Sequence, residues 1–276
     1  MTIRFPVCFP LQQSVRHTIA QACLAASLTS LGAPLAWSQP DLTEASLEQL
    51  MNVQVTSVSK KEQKLARTAA AVFVISQEDI RRSGAINIPD LLRMVPGVQV
   101  ARIDANAWAI SIRGFNTRYS NKVLVLIDGR SVYSPSFSGV FWEQQGLPLE
   151  DIERIEVIRG PGATVWGANA VNGVINIISK SAKTTHGGLL TAGTGNKDNA
   201  NGTLRYGGAA GGTGSFRVFG QYSRIADSPL PGGANATDGW RRLNGGFRSD
   251  WDLTPQDSLT VEGSAFSNSE GQSRLP

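Results

Sequence analysis

The residues that could carry nucleophilic or metal chemistry are few, and most lie near the N-terminus. Cys8, Cys23 and His17 precede residue 39, and His186 is the one histidine beyond it. A Cys–His nucleophile or a zinc site needs two or more such side chains close together. If the first 38 residues are removed on export, one histidine and no cysteine remain, so both kinds of site are excluded.

A glycine-rich stretch suggests a phosphate-binding loop. Gly162 and Gly167 have the G-x4-G spacing, but the residues that follow are Ala168 and Asn169. Nucleotide binding would require Lys and Ser or Thr there to contact phosphate and magnesium. A tight turn is therefore the better interpretation.

Acidic side chains recur in the middle of the chain: Asp128, Glu150, Asp151, Glu153 and Glu156. A glycosidase would need two such carboxylates facing each other across a bond. Their spacing along one loop and one strand more simply predicts a solvated face. We therefore expect no enzyme, no catalytic residue, no metal site and no cofactor.

Composition narrows the class of protein further. The 276 residues carry a formal charge of +4, which is too small a surplus to indicate nucleic-acid binding. No run of 18 residues is apolar throughout, which argues against a membrane-spanning helix. Of 29 glycines, 18 fall in the last 90 residues, so the chain has two compositional regimes.

The N-terminus has the pattern of a secretory signal peptide. An apolar stretch, 18–36, follows a basic start and leads to the small residues Ala36 and Ser38. This predicts a signal peptide over 1–38, cleavage between Ser38 and Gln39, and export. A buried amphipathic helix and a lipoprotein cysteine at Cys23 are the alternatives.

Short strands and helices alternate from residue 69 to about 180. Val- and Ile-rich runs predict strands at 69–76, 98–103, 109–115, 122–129, 152–160 and 173–179. Ser76 caps a predicted short helix, and Asn87-Ile88-Pro89 opens a second that Pro96-Gly97 ends. The pattern predicts a compact α+β domain over 69–183.

The residues from 187 to 276 have no helical period. Five runs alternate apolar and polar residues, at 187–195, 202–208, 215–225, 240–253 and 258–268. Strands of about 10 residues with one apolar face are typical of a transmembrane β-barrel. A soluble β-sandwich alternates in the same way and stays open as the alternative.

Two tryptophans on the fourth of these runs suggest interfacial girdles. Trp240 and Trp251 are far enough apart to mark both edges of a membrane's apolar layer. Because they differ in parity, a regular strand would point them to opposite faces. We expect a bulge at Gly245-Gly246 that brings both to the same face.

The run from 69 to 180 resembles the plug domain of TonB-dependent outer-membrane receptors. The motifs AAAVFVISQEDIRRSGAINIPDLLRMVPGV, ISIRGF, VLVLIDGRSVY and LPLEDIERIEVIRGPGATVWGANAVNGVINIISK occur in the family's order and spacing over about 110 residues. The resemblance implies a 22-stranded barrel with the plug in its lumen. Five strands cannot close, so we expect the sequence to be a fragment or a truncated product.

The resemblance also implies a role for the segment that precedes the plug. Residues 39–68 are expected to be flexible and to contain a TonB-box-like stretch, formed by Val53, Gln54, Val55, Thr56, Ser57 and Val58. An extended, β-branched stretch is suited to adding a strand to a partner sheet. An ordinary tether is the alternative.

Contacts of the plug follow from the same resemblance. Arg113 and Arg159 fall on the family arginines that face acids of the barrel wall. The apical loops that usually meet the ligand would present Asp104, Asn106, Trp108, Tyr133, Phe137, Phe141 and Trp142. Exposed aromatic rings there would either stack on a ligand or pack on the barrel wall.

Two functions therefore remain. The first is a receptor in the cell outer membrane that takes up a scarce ligand with energy from the periplasmic TonB complex. The 276 residues are then expected to be a fragment of that receptor that cannot transport alone. The second is an exported, non-transporting plug or remnant that only binds partners. Expected partners are TonB, outer-membrane lipid and a small molecule such as a metal chelate, and not nucleic acid. Siderophore, cobalamin, haem, another chelate and sugar stay open as ligands.

Overall fold

The structure is a computed structural model that describes residues 54–55, 63–64, 70–195, 200–230 and 233–271. The predicted signal peptide and the Ser38–Gln39 cleavage point lie outside these residues. Within the predicted flexible segment, β1 (Gln54–Val55) pairs antiparallel with β2 (Gln63–Lys64).

Seven further strands belong to the α+β domain: β3 (Val72–Ser76), β4 (Val98–Arg102), β5 (Trp108–Ile112), β6 (Val123–Ile127), β7 (Arg130–Ser131), β8 (Ile152–Arg159) and β9 (Gly173–Ser179). Five of them form one sheet in the order β3-β8-β9-β6-β7, in which only β6 and β9 run parallel. β4 and β5 form a separate hairpin. The strands predicted from Val- and Ile-rich runs are confirmed.

Three short helices connect these strands: α1 (Gln77–Ser83), α2 (Ile88–Leu92) and α3 (Ala163–Trp166). Ser76 and Asp79 form a capping box, since each side chain accepts from the other's backbone N–H at the start of α1. The Asn87 side chain caps α2 in the same place as predicted. Gly84 ends α1 with φ +66°, a conformation that glycine adopts without strain.

The domain core lies on one face of the five-stranded sheet. Ile155 and Ile177 of the sheet are fully buried there beneath α1, α2 and the β4–β5 hairpin, and so is Leu92 of α2. Burial of each such side chain contributes about 1.5–3 kcal/mol. On the other face a smaller cluster forms around Ile158 and Val174.

The C-terminal part is a five-stranded antiparallel sheet of β10 (Gly187–Gly193), β11 (Ala200–Ala210), β12 (Gly214–Ile225), β13 (Trp240–Asp252) and β14 (Ser258–Glu270), in chain order. All five predicted strands are confirmed. The predicted fold class, an α+β domain followed by antiparallel strands that do not close, holds for the described residues. Among all the described residues, no helix has the length and apolar character needed to cross a membrane.

The two faces of this sheet differ as the alternation predicts. Leu190, Leu204 and Leu243 point away from the α+β domain and are more than half exposed. Arg217 and Arg242 point toward the domain and are buried. The sheet therefore has an apolar outer face and a polar inner face.

The predicted bulge in β13 is wrong. The pairing of β13 with both neighbours is regular through Gly245 and Gly246. A Cβ at Gly246 would lie 2.7 Å from the ring of Phe219, so this glycine makes room for a neighbouring side chain. Trp240 consequently points inward, and only Trp251 lies on the outer face.

Candidate functional site

The contact between the α+β domain and the inner face of the sheet is built on a buried carboxylate. Asp151 ends the 3₁₀ turn Leu149–Asp151 and is fully buried. Its Oδ1 lies 2.7 Å from Nη1 of Arg205, and its Oδ2 lies 3.3 Å from Nε of Arg217. A buried charge is tolerated only with such partners, so this turn is tied to two neighbouring strands.

Backbone groups complete the surroundings of Arg217. Its Nη1 donates to the carbonyl oxygen of Lys180 at 2.8 Å. The Lys180 ammonium donates in turn to the carbonyl oxygen of Glu150 at 2.8 Å. Burial lowers the pKa of Lys180, although the charge of Asp151 opposes this shift. Arg217 of the sheet is thus linked to the residue before β8 and to the residue after β9.

A second carboxylate, Asp250 of the sheet, holds the segment that leads from the domain into β10. Its Oδ2 accepts from the backbone N–H of Ala182 at 2.7 Å and from the Ser181 hydroxyl at 2.9 Å. Arg248 donates to the same carboxylate at 3.1 Å and lies 3.6 Å from Asp128. Arg248 therefore lies between two carboxylates, Asp250 of the sheet and Asp128 of the domain.

The third connection joins the sheet to the loop after the 3₁₀ turn Trp142–Gln144. Nη1 of Arg242 donates to the carbonyl oxygen of Glu143 at 2.9 Å. The Asn244 amide donates to the carbonyl oxygen of Gly146 in close contact, and a Cβ at Gly146 would overlap that amide. Glycine is required here by this close approach.

Glu143 is the buried carboxyl at this contact. Burial raises its pKa to about 7, and the negative charges of Glu270 and Asp104 act in the same direction. The guanidinium of Arg118, 4.0 Å away, opposes the shift only weakly. Glu143 therefore changes its charge close to neutral pH.

The loop that holds two of the predicted ligand-binding residues, Asp104 and Asn106, contacts the C-terminal sheet. The Asn106 side chain is buried and donates to the carbonyl oxygen of Gly271 at 2.9 Å. Asp104 accepts from the backbone of Ala107 at 2.6 Å and so shapes the loop. Nε1 of Trp240 donates to the carbonyl oxygen of Ala105 in the same loop at 3.1 Å.

The predicted aromatic residues divide into two groups. Trp108 and Trp142 are buried in the domain core, so the expectation that their rings are exposed is wrong. Phe137 is exposed and packs edge-on against Phe141, with ring centroids 4.9 Å apart. Tyr133 is half-buried. Ligand binding by Asp104, Asn106, Trp108, Tyr133, Phe137, Phe141 or Trp142 stays a prediction.

Tyr133 and Phe141 also line a cleft between the domain and β12–β14, with a volume of about 470 Å³. Its walls carry charges of both signs, from Asp128, Arg130, Arg248 and Glu262. Among the described residues, no group of three or more acidic, histidine or cysteine side chains is arranged to hold a metal ion. The arrangement offers aromatic surface and polar groups to an organic molecule.

Arg113 and Arg159 lie at one end of the domain. Nη1 of Arg159 donates to the carbonyl oxygen of Pro96 at 3.0 Å, and the Arg113 guanidinium lies beside Gly160. Arg113 has a φ of +59°, which is uncommon for a non-glycine residue. Within the described ranges neither forms an ion pair. Their contact with acids of a barrel wall stays a prediction.

Only two of the six TonB-box-like residues are described. Gln54 pairs with Lys64 and Val55 with Gln63, and Val55 is fully buried. Val53, Thr56, Ser57 and Val58 lie outside the described residues. Interaction of this stretch with a partner sheet stays a prediction.

Sequence reasoning missed the charged contact. Asp151, at this contact, was expected on a solvated face but is fully buried. Glu156, within the domain, was expected there too and is also fully buried, with Nε of Arg154 2.8 Å away. Charged residues on the polar face of the last strands were visible in the sequence, but their partners were not. A row of arginines facing away from an apolar face is the signal that could have pointed to buried carboxylates.

The comparisons with known proteins agree with this architecture. The family model of the TonB-dependent receptor plug domain matches residues 64–174. A vitamin B12 transporter of Vibrio cholerae is 33% identical over 235 residues, which are 83% of this chain and 36% of the transporter. An iron-regulated outer membrane virulence protein of the same species is 42% identical over 123 residues, 43% of this chain and 18% of that protein.

Solved structures are similar over most of the chain. The ferripyoverdine receptor of the Pseudomonas aeruginosa outer membrane superposes with a TM-score of 0.63 at 20% identity, over 78% of this chain and 27% of that one. The ferric-catecholate import receptor Fiu of E. coli K12 gives 0.60 at 26% identity, over 77% and 29%. The chain spans about a third or less of the length of the relatives it matches.

Proposed function

We propose, from the premise that the chain belongs to the TonB-dependent receptors, that it acts in the cell outer membrane in the energised uptake of a scarce ligand. A metal chelate of the siderophore kind or cobalamin is the proposed ligand class, because relatives named for vitamin B12 transport and for iron regulation both match. Export with cleavage between Ser38 and Gln39 is part of this proposal. The chain is proposed to have no enzymatic activity.

One observation carries the proposal: the two-sided character of the sheet. Its inner face binds the domain through Asp151 and Asp250, and its outer face is apolar. A sheet with water on its outer face would expose Leu190, Leu204 and Leu243 at high cost. Lipid on the outer face and the plug on the inner face satisfy both surfaces.

Three sets of residues would take part in the proposed uptake. Residues 53–58 would add a strand to TonB, and release of the β1–β2 pair would make Val55 available. The ligand would be met by the aromatic and polar side chains of the apical loops, of which Phe137 is the most exposed. Arg113 and Arg159 would hold the plug to acidic residues of the wall.

An exported plug that binds partners without transport is the second candidate. The observation that favours it is the apolar core that the α+β domain has of its own, around Leu92, Ile155 and Ile177. Such a chain would bind ligand or TonB and would not move ligand across a membrane. Uptake is therefore the property that separates the two.

The test measures binding and uptake separately, with labelled cobalamin and a labelled ferric siderophore. Cells that lack their own receptors express the full-length protein or its variant Val55→Pro, which removes a backbone donor from the proposed strand. We expect the variant to bind ligand and fail in uptake, and the control Val55→Thr, which keeps a β-branched residue, to do both. Binding without uptake in all three forms would favour the second candidate.

A further inference from the structure

Two arginines lie directly opposite each other at one end of the outer face of the sheet. Arg224 of β12 is the register partner of Arg241 of β13, and both are exposed. Their chain neighbours Ile225 and Trp240 also pair and point to the α+β domain. The two guanidinium groups therefore point away from the domain.

The part of the chain that the structure describes supplies no counter-charge to this pair. Among the described residues no carboxylate forms an ion pair with either arginine, whereas Arg205, Arg217 and Arg248 of the inner face all have one. Like charges directly opposite each other on a sheet destabilise the pairing. An anion between the two guanidiniums would remove this cost.

The surroundings leave space for such an anion and define its depth. The next residues across the sheet are Ala200 beside Arg224 and Ser269 beside Arg241, and both are small. The next pair along the strands on the same face is Tyr222 and Leu243, which are exposed and largely apolar. The two charges thus border directly on the apolar surface.

The height of this apolar surface matches the thickness of the apolar layer of an outer membrane. On the outer face, β13 and the residue after it run from Leu243 to Leu253, ten residues or about 33 Å along a strand. A tilt of about 40° reduces this to about 25 Å of height, the apolar band of outer-membrane barrels. Arg241 lies one outward position beyond Leu243, at the depth of phosphate groups.

We propose that Arg224 and Arg241 together bind a phosphate group carried by a membrane lipid. The proposal rests on the proposed function, because it requires lipid against the outer face. The phosphate accepts hydrogen bonds from both guanidiniums, which are suited to bidentate contacts with phosphate oxygens. The acyl chains of the same lipid then lie on Tyr222 and Leu243. Free inorganic phosphate has the same headgroup chemistry but lacks this apolar contact.

The test begins with insertion and then measures lipid selectivity. The full-length protein is placed in nanodiscs of phosphatidylcholine, and brominated lipid reports insertion by quenching the outward-facing Trp251. Spin-labelled phosphatidylglycerol and phosphatidylcholine are then compared for association with the protein. We expect a preference of about fivefold for the anionic lipid. The double variant Arg224→Gln/Arg241→Gln should lose it, and Arg224→Lys/Arg241→Lys should keep part of it.

Matched controls separate the outcomes. Arg81→Gln/Arg82→Gln removes the same number of charges from α1 and should leave the preference unchanged. Millimolar inorganic phosphate should not compete beyond the effect of chloride at equal ionic strength; if it does, the site takes free phosphate and the lipid assignment is overturned. Insertion without selectivity overturns this inference alone, whereas failure to insert overturns the proposed function and this inference with it.

Discussion

The interior of the α+β domain and its contact with the sheet are both buried, but they are built from opposite kinds of residue. The domain core around Leu92, Ile155 and Ile177 is built from apolar side chains. The contact with the sheet uses the charged residues Asp151 and Arg217. Apolar packing has no preferred direction, whereas a charge pair is satisfied in one arrangement only.

The difference indicates what each region is for. A domain that must stay folded gains stability from apolar burial, which water cannot replace. A contact made of charges and backbone hydrogen bonds exchanges its partners for water at a modest net cost. Such a contact fixes the position of the domain and still permits its release. If the two regions differ in this way, substitutions in the core and at the contact should have separable effects.

The largest effect is expected in the domain core. Ile155→Ala leaves a cavity under the helices and should lower the free energy of unfolding by about 4 kcal/mol. Urea unfolding followed by tryptophan fluorescence measures it. The matched control is Ile103→Ala, which removes the same atoms from a side chain that is 52% exposed. Similar losses in the two variants would mean that the core is not the main source of stability.

The next effect concerns the charged contact. Asp151→Asn leaves the buried guanidinium of Arg217 without its counter-charge and should weaken the contact by about 3 kcal/mol. Hydrogen exchange should rise in β11 and β12, where the partners lie, and stay unchanged in β8 and β9. The control Glu153→Gln removes an exposed carboxylate from the same segment and should change little. Equal loss of protection in the domain strands would show that the two regions are not separable.

Adding Arg217→Gln to the Asp151→Asn variant sharpens this test. If the loss comes from an unpaired buried charge, removing that charge should recover part of it. A double variant that loses the sum of the single effects would indicate that the two residues act independently.

A smaller effect is expected from packing at the two regions. Gly173→Ala in β9 would place a Cβ 2.6 Å from Ile112 in the core, and Gly146→Ala would overlap Asn244 at the contact. Each should cost about 2 kcal/mol. Shortening Asn244 to alanine should relieve Gly146→Ala and leave Gly173→Ala unchanged. Gly188→Ala is the control, because no atom lies near its Cβ position.

Sequence reasoning predicted elements better than contacts. The strands and both capped helices follow from local patterns, since alternation and capping involve residues close along the chain. The partners of Asp151 lie 54 and 66 residues away, and nothing local links them. The buried acids were therefore expected in solvent. Trp240 and Trp251 are an odd number of residues apart, which correctly indicates opposite faces of the strand. The predicted bulge, which would have placed both on the same face, is wrong.

The smallest effect is a pH dependence that only the contact should have. Because burial raises the pKa of Glu143 from its ordinary value of 4.5 to about 7, the docked state binds a proton that the undocked state releases. The contribution of Glu143 is therefore fully present below about pH 4.5 and is lost as the pH rises through about 7. Between pH 6 and 8 the contact should lose about 1 kcal/mol.

Hydrogen exchange in β13, whose Arg242 binds the Glu143 carbonyl, measures this loss as a function of pH. Glu143→Gln is of similar shape and does not titrate, so its exchange in β13 should be independent of pH beyond the intrinsic rate. The core strands β8 and β9 should show no such dependence in either protein. If exchange in β13 still depends on pH in Glu143→Gln, another group titrates at the contact. If exchange in β8 and β9 also depends on pH, the distinction between an apolar core and a titratable contact is lost.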